Sequence, residues 1–433
     1  MAVLQLGAIF LLNLLTSRAI AAISYEGYKV YEVVPENLEQ LRFLHEFSEN
    51  PKYDFWKSSR NVGTVSHVMV PPEEQGYFEL LLTHNGFVSF KISVPNVESV
   101  ILQEKLERSM ARSLNTGQVT FNSFMTYEEH VAYVRRIAQD YPEITTMETI
   151  GQSHEGRDIP LLYISSGPNE TSVPKPLIIL DAGIHCREWI APTVTLYIIN
   201  QLVENSTNAA LLQNVDWAIV PNLNPDGYEY TQRNNRLWRK NRQTATGSSC
   251  IGTDLNRNFG YMWMFDGASD DPCSDTHAGT AAFSEPETSA LRNWILAHNE
   301  NARLYLAFHS YGKMILFPWG YAPIYTDNAE ELKHLGTLAA NAIAASSTIG
   351  SAYEVENSAI FLYAAAGAAD DWAMGEAGIE LSYTVELPAG DAPHSFMIPA
   401  RQILPVVQET FEGIRIFHQY IEEKFWTNAT EVD

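Results

Sequence analysis

The chain has 433 residues, which is enough for two domains, and its 45% apolar and 18% charged residues are typical of a folded protein rather than a disordered one. Its formal net charge of −24 argues against nucleic acid as a partner, because a surface of that sign repels phosphates. The same surface is compatible with attracting basic peptides.

The first 22 residues resemble a secretory signal peptide. An apolar run over residues 3–15 is followed by the small residues Ala19, Ala21 and Ala22, and the run is too short to span a bilayer comfortably. A membrane-anchored N-terminus is the alternative interpretation, against which the cluster of alanines argues. No later apolar run reaches membrane-spanning length, so we expect a secreted, extracellular protein without membrane attachment, for example in a digestive lumen.

Residues 23–97 have the pattern of a small α+β unit. Short alternating segments predict strands, namely YKVYEVV, SHVMVPP, YFELLLTHNG and GFVSFKISV, and NLEQLRFLHEF predicts a helix after the first of them. A second helical pattern, VESVILQEKLERSMARS, then runs into the polar stretch LNTGQ. Arg108 and Arg112 lie at that helix end, where a trypsin-like protease would cut.

From about residue 123 the pattern changes to alternating helices and strands, which predicts an α/β domain with a mixed, largely parallel sheet flanked by helices. Its predicted strands include PLIILDAG, VDWAIVPNLN, ARLYLAFHS and ELSYTVEL, and its predicted helices include WIAPTVTLYIINQLV and EPETSALRNWILAH. The segment NPDGYEYT, residues 224–231, predicts a turn.

Three cysteines and three glycosylation sequons fit an exported protein. Cys250 and Cys273 are 23 residues apart across a Gly- and Asp-rich stretch and are candidates for a disulfide, which leaves Cys186 as a buried free thiol. The sequons begin at Asn169, Asn205 and Asn428, although such triplets also occur by chance.

The strongest local signal is HCREW, residues 185–189, which follows the apolar strand PLIILDAG. His185 and Glu188 therefore lie just beyond the carboxyl end of a strand, where open α/β sheets bind ligands. A catalytic zinc needs three protein ligands and one open position, and His309, which also ends an apolar strand, supplies the third. Each histidine alone is more often an ordinary buried imidazole, but together these strand ends favour a zinc site.

Two further features suggest chemistry near that site. Glu386 ends the apolar strand ELSYTVEL, and a buried acid is unfavourable unless it has a partner or a task, such as accepting a proton from water. A structural salt bridge is the alternative. Arg236, Arg239 and Arg242 are bunched in NRLWRKNR and suit a carboxylate substrate, which guanidinium binds through two hydrogen bonds, unless they form a solvated basic face.

The motifs HCREW, NPDGYEYT, WRKNR, DLNRNF, the HSYG after LAF, and YAAAGAADDW followed by YTVEL closely resemble those of the pancreatic A/B kind of metallocarboxypeptidase, with its activation segment. The resemblance covers nearly the whole chain after the signal. It implies an activation propeptide with a connecting helix at residues 23–112, a small α+β unit of the ferredoxin-like kind, and a zinc-dependent catalytic domain at residues 113–433. It also implies a zymogen whose active form releases single C-terminal residues.

By position, the resemblance assigns one Zn²⁺ ion to His185, Glu188 and His309, with Asp254 accepting a hydrogen bond from His185. Glu386 would be the general base, and Arg239 would hold the developing oxyanion. Residues implied to grip the terminal carboxylate are Asn256, Arg257 and Tyr363, and those implied to line the next subsites are Arg187, Ser310 and Tyr311. Cys250 and Cys273 match the family's disulfide, and Cys186 would only pack.

Specificity would depend on the pocket for the terminal side chain. The resemblance places Asp370 at its floor, with Asp371 beside it, and the small residues Gly320, Ser358 and Ala365 in its walls. An acid at that floor accompanies specificity for Lys and Arg in this family, because a buried carboxylate attracts a cation. Asp371 could face inward instead, and a solvated acidic turn is the alternative for both residues.

The predicted partners are the C-termini of peptides and proteins, an activating trypsin-like protease that cuts after Arg112, and protein inhibitors. We expect no nucleic acid and a monomer. The competing interpretations are an A-type or otherwise selective carboxypeptidase, an inactive homologue that acts as a binding module, and a metal-free extracellular interaction domain. The second is disfavoured because the three ligands, Glu386 and Arg239 are all present.

Overall fold

A computed structural model describes residues 22–48, 50–59, 61–111, 117–168, 174–390 and 394–427. The predicted signal peptide up to residue 21, the expected cleavage site at Arg112 and the sequons at Asn169 and Asn428 lie outside these residues. Within the described ranges, no helix combines the length and the apolar character that are needed to cross a membrane.

The N-terminal part is a βαββαβ unit followed by a helix. Its elements are β1 (Lys29–Val33), α1 (Leu38–Ser48), β2 (Asp54–Lys57), β3 (Ser66–Val70), α2 (Gln75–His84), β4 (Phe90–Val94) and α3 (Val97–Ala111). The strands form an antiparallel sheet in the order β2-β3-β1-β4, the ferredoxin-like arrangement that was expected. One face of this sheet packs on α1 and α2, and the other faces the rest of the chain.

One predicted strand of this unit is wrong, because the segment YFELLLTHNG lies mostly in helix α2. Phe78 and Leu82, four residues apart, are both buried against the sheet, whereas Tyr77 and Leu80 are exposed. That spacing is helical, and a short apolar run alone does not distinguish the two structures.

The larger part begins at α4 (Tyr127–Asp140) and contains an eight-stranded sheet. Its strands are β5 (Thr145–Gln152), β6 (Asp158–Ile164), β7 (Leu177–Ala182), β8 (Asp216–Val220), β9 (Ala302–Ser310), β10 (Met314–Phe317), β11 (Glu354–Asn357) and β12 (Leu381–Leu387). Their order is β11-β10-β12-β9-β7-β8-β6-β5, and four of the seven neighbouring pairs are parallel, which confirms a mixed, largely parallel sheet.

Helices cover both faces of this sheet, so its central strands are buried on both sides and consist mainly of apolar residues. The helices are α5 (Ile190–Ile199), α6 (Pro225–Arg233), α7 (Pro286–His298), α8 (Ala329–Ser346), α9 (Ser358–Phe361), α10 (Ala369–Gly375) and α11 (Ala400–Glu422). Residues of α5, α8 and α11 pack in the core on one face, and residues of α7 and α10 pack on the other.

Helix α6 replaces the turn predicted for NPDGYEYT. The side chain of Asn224 accepts a hydrogen bond from the backbone N–H of Gly227 at 3.0 Å, and Pro225 occupies the first helical position. Both are helix-start features, so the turn-like composition marks the beginning of a helix.

The cysteines are arranged as predicted. Cys250 and Cys273 form a disulfide, and Cys186 is a buried free thiol whose sulfur lies 2.9 Å from the carbonyl oxygen of Trp238. The side chain of Asn205, the one sequon asparagine among the described residues, accepts a hydrogen bond from Thr207 at the start of a short 3₁₀ helix.

Candidate metal centre

The three predicted ligands come from two neighbouring parallel strands. Strand β7 pairs with β9 in a register that places Ala182 opposite Phe308, so the chain segments that follow both strands emerge at the same edge of the sheet. His185 lies in the loop after β7, Glu188 lies just before α5, and His309 lies at the end of β9. All three side chains are buried.

The ligand atoms converge around Glu188. Its Oε1 lies 3.0 Å from Nδ1 of His185, its Oε2 lies 3.2 Å from Nδ1 of His309, and the two Nδ1 atoms are 3.1 Å apart. The ligand atoms of the three residues all lie within 4.8 Å of one another. Two imidazole nitrogens and one carboxylate in a buried cluster are the donors of a catalytic zinc site, and a cation between the nitrogens would relieve the contact of their lone pairs.

Asp254 orients the first of these ligands. Its Oδ1 lies 3.0 Å from Nε2 of His185, so the proton of this imidazole belongs on Nε2 and leaves Nδ1 free to bind a metal. Its Oδ2 accepts hydrogen bonds from Nε and Nη2 of Arg239 at 3.1 and 2.8 Å. Although burial would raise the pKa of the Asp254 carboxyl, Arg239 and His185 hold that pKa well below its usual range.

Glu386 lies directly beside the ligands because β12 is the parallel neighbour of β9 and pairs Glu386 with His309. Burial raises the pKa of the Glu386 carboxyl to about 7, against the opposing charges of His309 and Arg239. A bound cation would lower this pKa again. With a cation bound, this carboxyl would be ionised at neutral pH and could accept a proton, as a general base must.

The residues predicted to bind a terminal carboxylate line the same cleft. Arg257 donates from Nε to the carbonyl of Gly267 and from Nη1 to the carbonyl of Asn256, both at 2.8 Å, and its guanidinium lies 5.9 Å from the ring centre of Tyr363. Arg239, Arg187, Ser310 and Tyr311 also line this cleft.

The other two arginines of NRLWRKNR were wrongly grouped with these residues. Arg236 is paired with Glu104, and the guanidinium of Arg242 lies 3.7 Å from the ring centre of Tyr230.

The two aspartates at the predicted pocket floor have different surroundings. Asp370 is buried and lines the cleft together with Gly320, Ser358 and Ala365, as the resemblance implied. Asp371 instead accepts hydrogen bonds from the backbone N–H groups of Gly320 and Tyr321, at 2.7 and 2.9 Å. Burial raises the pKa of the Asp370 carboxyl, and a hydrogen bond with Thr384 opposes that rise.

The N-terminal unit lies over the cleft, and residues 55–58 contribute to its lining. Arg187 donates from Nη1 to both oxygens of Asp54, at 3.1 and 3.0 Å, and the hydroxyl of Tyr311 lies 2.7 Å from Nδ1 of His67. Deeper in the contact, Arg236 binds Glu104 of α3 through Nε and Nη2 at 2.6 and 2.9 Å. None of these partners was predicted, because Asp54, His67 and Glu104 lie in segments that carry no motif.

Two models of known protein families match this chain, and their descriptions agree with the geometry of the site. Residues 130–413 match the family model described as zinc carboxypeptidase, and residues 31–104 match the one described as carboxypeptidase activation peptide. The chain belongs to the zinc carboxypeptidase family.

Relatives of this zinc carboxypeptidase bear both A-type and B-type names. Carboxypeptidase B of Astacus astacus is 42% identical over 70% of this chain and 99% of its own length. The crystal structure of carboxypeptidase A from Helicoverpa armigera has a TM-score of 0.87 and 36% identity, and covers 93% of this chain and 99% of that chain. Bovine thrombin-activatable fibrinolysis inhibitor in complex with tick carboxypeptidase inhibitor has a TM-score of 0.65 and 30% identity, covering 70% and 99%.

The protein is therefore a metallocarboxypeptidase that uses zinc and carries an activation peptide. His185, Glu188 and His309 form a cluster that could hold a metal ion. Because relatives with both kinds of name match it, the family alone leaves open which terminal residue it removes.

Proposed function

We propose that this protein is a secreted zymogen whose active form releases single C-terminal lysine and arginine residues from peptides. The observation that carries the specificity is the buried carboxyl of Asp370 in the cleft that also contains Arg239, Asn256 and Arg257.

Substrate orientation follows from these charges. Arg257, with Asn256 and Tyr363, binds the terminal carboxylate, because guanidinium and carboxylate form paired hydrogen bonds. The terminal side chain then extends toward Asp370, past the small residues Gly320 and Ala365. A desolvated carboxylate favours a cationic side chain over an apolar one, since a buried charge without a partner is unfavourable.

The metal and the surrounding side chains would have separate roles in the reaction. His185, Glu188 and His309 would hold the zinc ion, which would supply a Lewis acid for the scissile carbonyl and the attacking water. Glu386 takes a proton from that water and delivers it to the leaving amine. Arg239 donates hydrogen bonds to the oxygen that becomes negative in the transition state, and Asp254 holds Arg239 in place.

The activation segment would keep the precursor inactive by occupying substrate-binding groups. Asp54 binds Arg187, and His67 contacts Tyr311, so two predicted subsite residues are engaged by the N-terminal unit. Cleavage after Arg112 by a trypsin-like protease would separate the unit from the catalytic domain. We take residues 1–22, 23–112 and 113–433 as signal, propeptide and catalytic domain of an extracellular monomer.

Protein inhibitors are further candidate partners, supported by the relative that was solved with a tick carboxypeptidase inhibitor. Such an inhibitor would have to reach the cleft after the activation segment has left, since residues 55–58 line it in the precursor.

An A-type preference for apolar residues is the second candidate. It is supported by the apolar side chains of Met314 and Leu316 in the cleft lining and by the 36% identity with a protein named carboxypeptidase A. In that case Asp370 would remain protonated, as its raised pKa permits, and would present a neutral surface to the terminal side chain.

A kinetic comparison distinguishes the candidates. The kcat/KM of the cleaved enzyme is measured with substrates that differ only in the last residue, Lys, Arg, Phe, Leu or Glu. We expect preference for Lys and Arg, and we expect Asp370→Ile to reverse it, with a change of about thirtyfold or more in the ratio of basic to apolar turnover. Asp371→Asn is the matched control, because Asp371 binds backbone N–H groups. An unchanged ratio in Asp370→Ile would refute the proposed specificity.

A further inference from the structure

We propose that His67 makes the closed zymogen sensitive to acid, so that protonation of its imidazole loosens the activation unit from the cleft. The inference rests on the proposed function, in which this unit keeps the cleft closed.

The contact of His67 with the catalytic part is direct. Together with Met69, His67 lies on the face of β3 that is turned toward the catalytic part, and its Nδ1 is 2.7 Å from the hydroxyl oxygen of Tyr311. The two rings are tilted at a centroid distance of 5.8 Å. Trp56 and Phe396 are apolar residues of the same contact, and the side chain of His67 keeps 18% of its surface exposed.

The sheet register places charged neighbours on both sides of this histidine. His67 pairs with Glu32 of β1 on one side and with Lys57 of β2 on the other, and Glu32 pairs in turn with Lys91 of β4. A row of four residues therefore crosses the sheet in the order Lys57, His67, Glu32 and Lys91. His67 lies between Lys57 and Glu32, and Glu32 is already paired with Lys91. Oε2 of Glu32 lies 2.8 Å from Nζ of Lys91, whereas its Oε1 lies 4.0 Å from Nε2 of His67.

Burial, more than this row, disfavours a positive charge on His67. Burial lowers the pKa of its imidazole to about 4, Glu32 opposes the shift, and Lys57 and Lys91 add to it. On the catalytic side, among the described residues, the imidazole contacts the Tyr311 hydroxyl, which also hydrogen bonds with Ser395 and lies near the charges of Arg187 and Asp54. The neutral imidazole, with its proton on Nε2 toward Glu32, can accept the hydrogen bond of Tyr311 at Nδ1.

The sign of the pH effect follows from this lowered pKa. An imidazole released from the contact would return toward its ordinary pKa of about 6.5. Its contribution to closure is therefore complete above pH 6.5 and is lost as the pH falls toward 4. Complete recovery of the ordinary pKa would weaken closure roughly thirtyfold between pH 7.5 and 5. Since the neighbours on its own sheet remain, we expect about tenfold.

A second group in the same contact responds in the opposite direction. Burial raises the pKa of Asp54, which binds Arg187, so protonation of Asp54 would favour closure at low pH. The net profile therefore contains both contributions, and a variant is needed to isolate that of His67.

The test uses the uncut full-length zymogen and the cleaved enzyme with a small peptide substrate at pH 7.5, 6.5, 5.5 and 5.0. The ratio of zymogen activity to cleaved-enzyme activity removes the pH profile of the chemistry. We expect this ratio to rise toward pH 5 in the parent, by at most about tenfold because Asp54 opposes the rise. His67→Asn keeps a hydrogen-bonding group near the Nδ1 position but does not titrate, so its ratio should not rise across this range, and Asp54 alone would make it fall.

Two further variants test the cause. His84→Asn replaces an exposed histidine on α2 and should behave like the parent. Glu32→Gln removes the counter-charge in the row from both the closed and the released unit, so it lowers the pKa of the released imidazole and should make the rise toward pH 5 smaller, a response that a purely structural role of His67 does not produce.

A parent ratio that does not change with pH, or an equal rise in His67→Asn, would overturn the inference. A zymogen as active as the cleaved enzyme at pH 7.5 would instead refute the proposed closure itself.

Discussion

The buried ion pair between Glu104 and Arg236 provides a direct measure of how firmly the activation unit is held. Glu104 lies on α3, and Arg236 lies in the catalytic part, with exposed fractions of 6% and 4%. Two hydrogen bonds, of 2.6 and 2.9 Å, join their side chains. Glu104→Gln keeps the shape of the side chain but leaves the guanidinium without a counter-charge.

The free-energy cost of Glu104→Gln can be estimated from the contacts that Arg236 retains in this variant. Removing one partner of a buried pair costs about 3–5 kcal/mol when the other charge is left without compensation. Arg236 still donates to the carbonyls of Arg187 and Phe396, at 2.8 and 3.2 Å, and its guanidinium lies 3.7 Å from the ring centre of Trp189. We therefore expect about 2–3 kcal/mol, which weakens closure roughly 30- to 150-fold.

The assay compares the activity of uncut Glu104→Gln with that of its cleaved form on one substrate at pH 7.5, relative to the parent. Glu46→Gln is the control, because Glu46 is an exposed carboxylate on α1 of the same unit. Adding Arg236→Gln should recover part of the loss, since no buried charge then lacks a partner. A change below about threefold in Glu104→Gln, or an equal change in Glu46→Gln, would refute the proposed magnitude.

Three further outcomes are expected. Glu386→Gln should lower kcat about a hundredfold or more while zinc content and unfolding temperature stay unchanged, and near-normal turnover would exclude Glu386 as the base. Treatment with a chelator should abolish activity and added zinc should restore it, with elemental analysis giving one zinc per chain; active metal-free protein would contradict this. Glu287→Gln should stabilise the protein at pH 8 by about 1–3 kcal/mol, because burial raises the pKa of Glu287 to about 7. The protonated carboxyl stabilises the native state fully below pH 4.5, and this stabilisation is lost as the pH rises through 7. Chemical denaturation at pH 8 and 5 checks this, and a gain that does not shrink at pH 5 would refute it.

The catalytic part was predictable because its signals are local. His185, His309 and Glu386 each follow or end an apolar strand, and parallel strands bring their carboxyl ends to one edge of a sheet. Strand ends therefore predicted a common site before any contact was known. Short or irregular elements were missed, among them β10 and β11, which have four residues each and too few alternations to form a pattern.

The contacts of the activation unit could not be predicted in the same way. The row formed by Lys57, His67, Glu32 and Lys91 depends on strand pairing across as many as 59 residues of sequence, and no local pattern encodes that register. Arg236 shows the same limit, because composition grouped it with the arginines that are predicted to bind a carboxylate substrate, although its partner is Glu104, 132 residues away.

The pairing of Glu386 with His309 has a consequence for where mobility can occur. Both residues lie on hydrogen-bonded neighbouring strands within the sheet, so their separation is set by backbone pairing rather than by loop conformation. Asp370 belongs to the short helix α10, outside that ladder. Fluctuations around α10 can therefore leave Glu386 and His309 in register. Amide exchange should be slow around residues 381–387 and 302–310 and faster around residues 358–368.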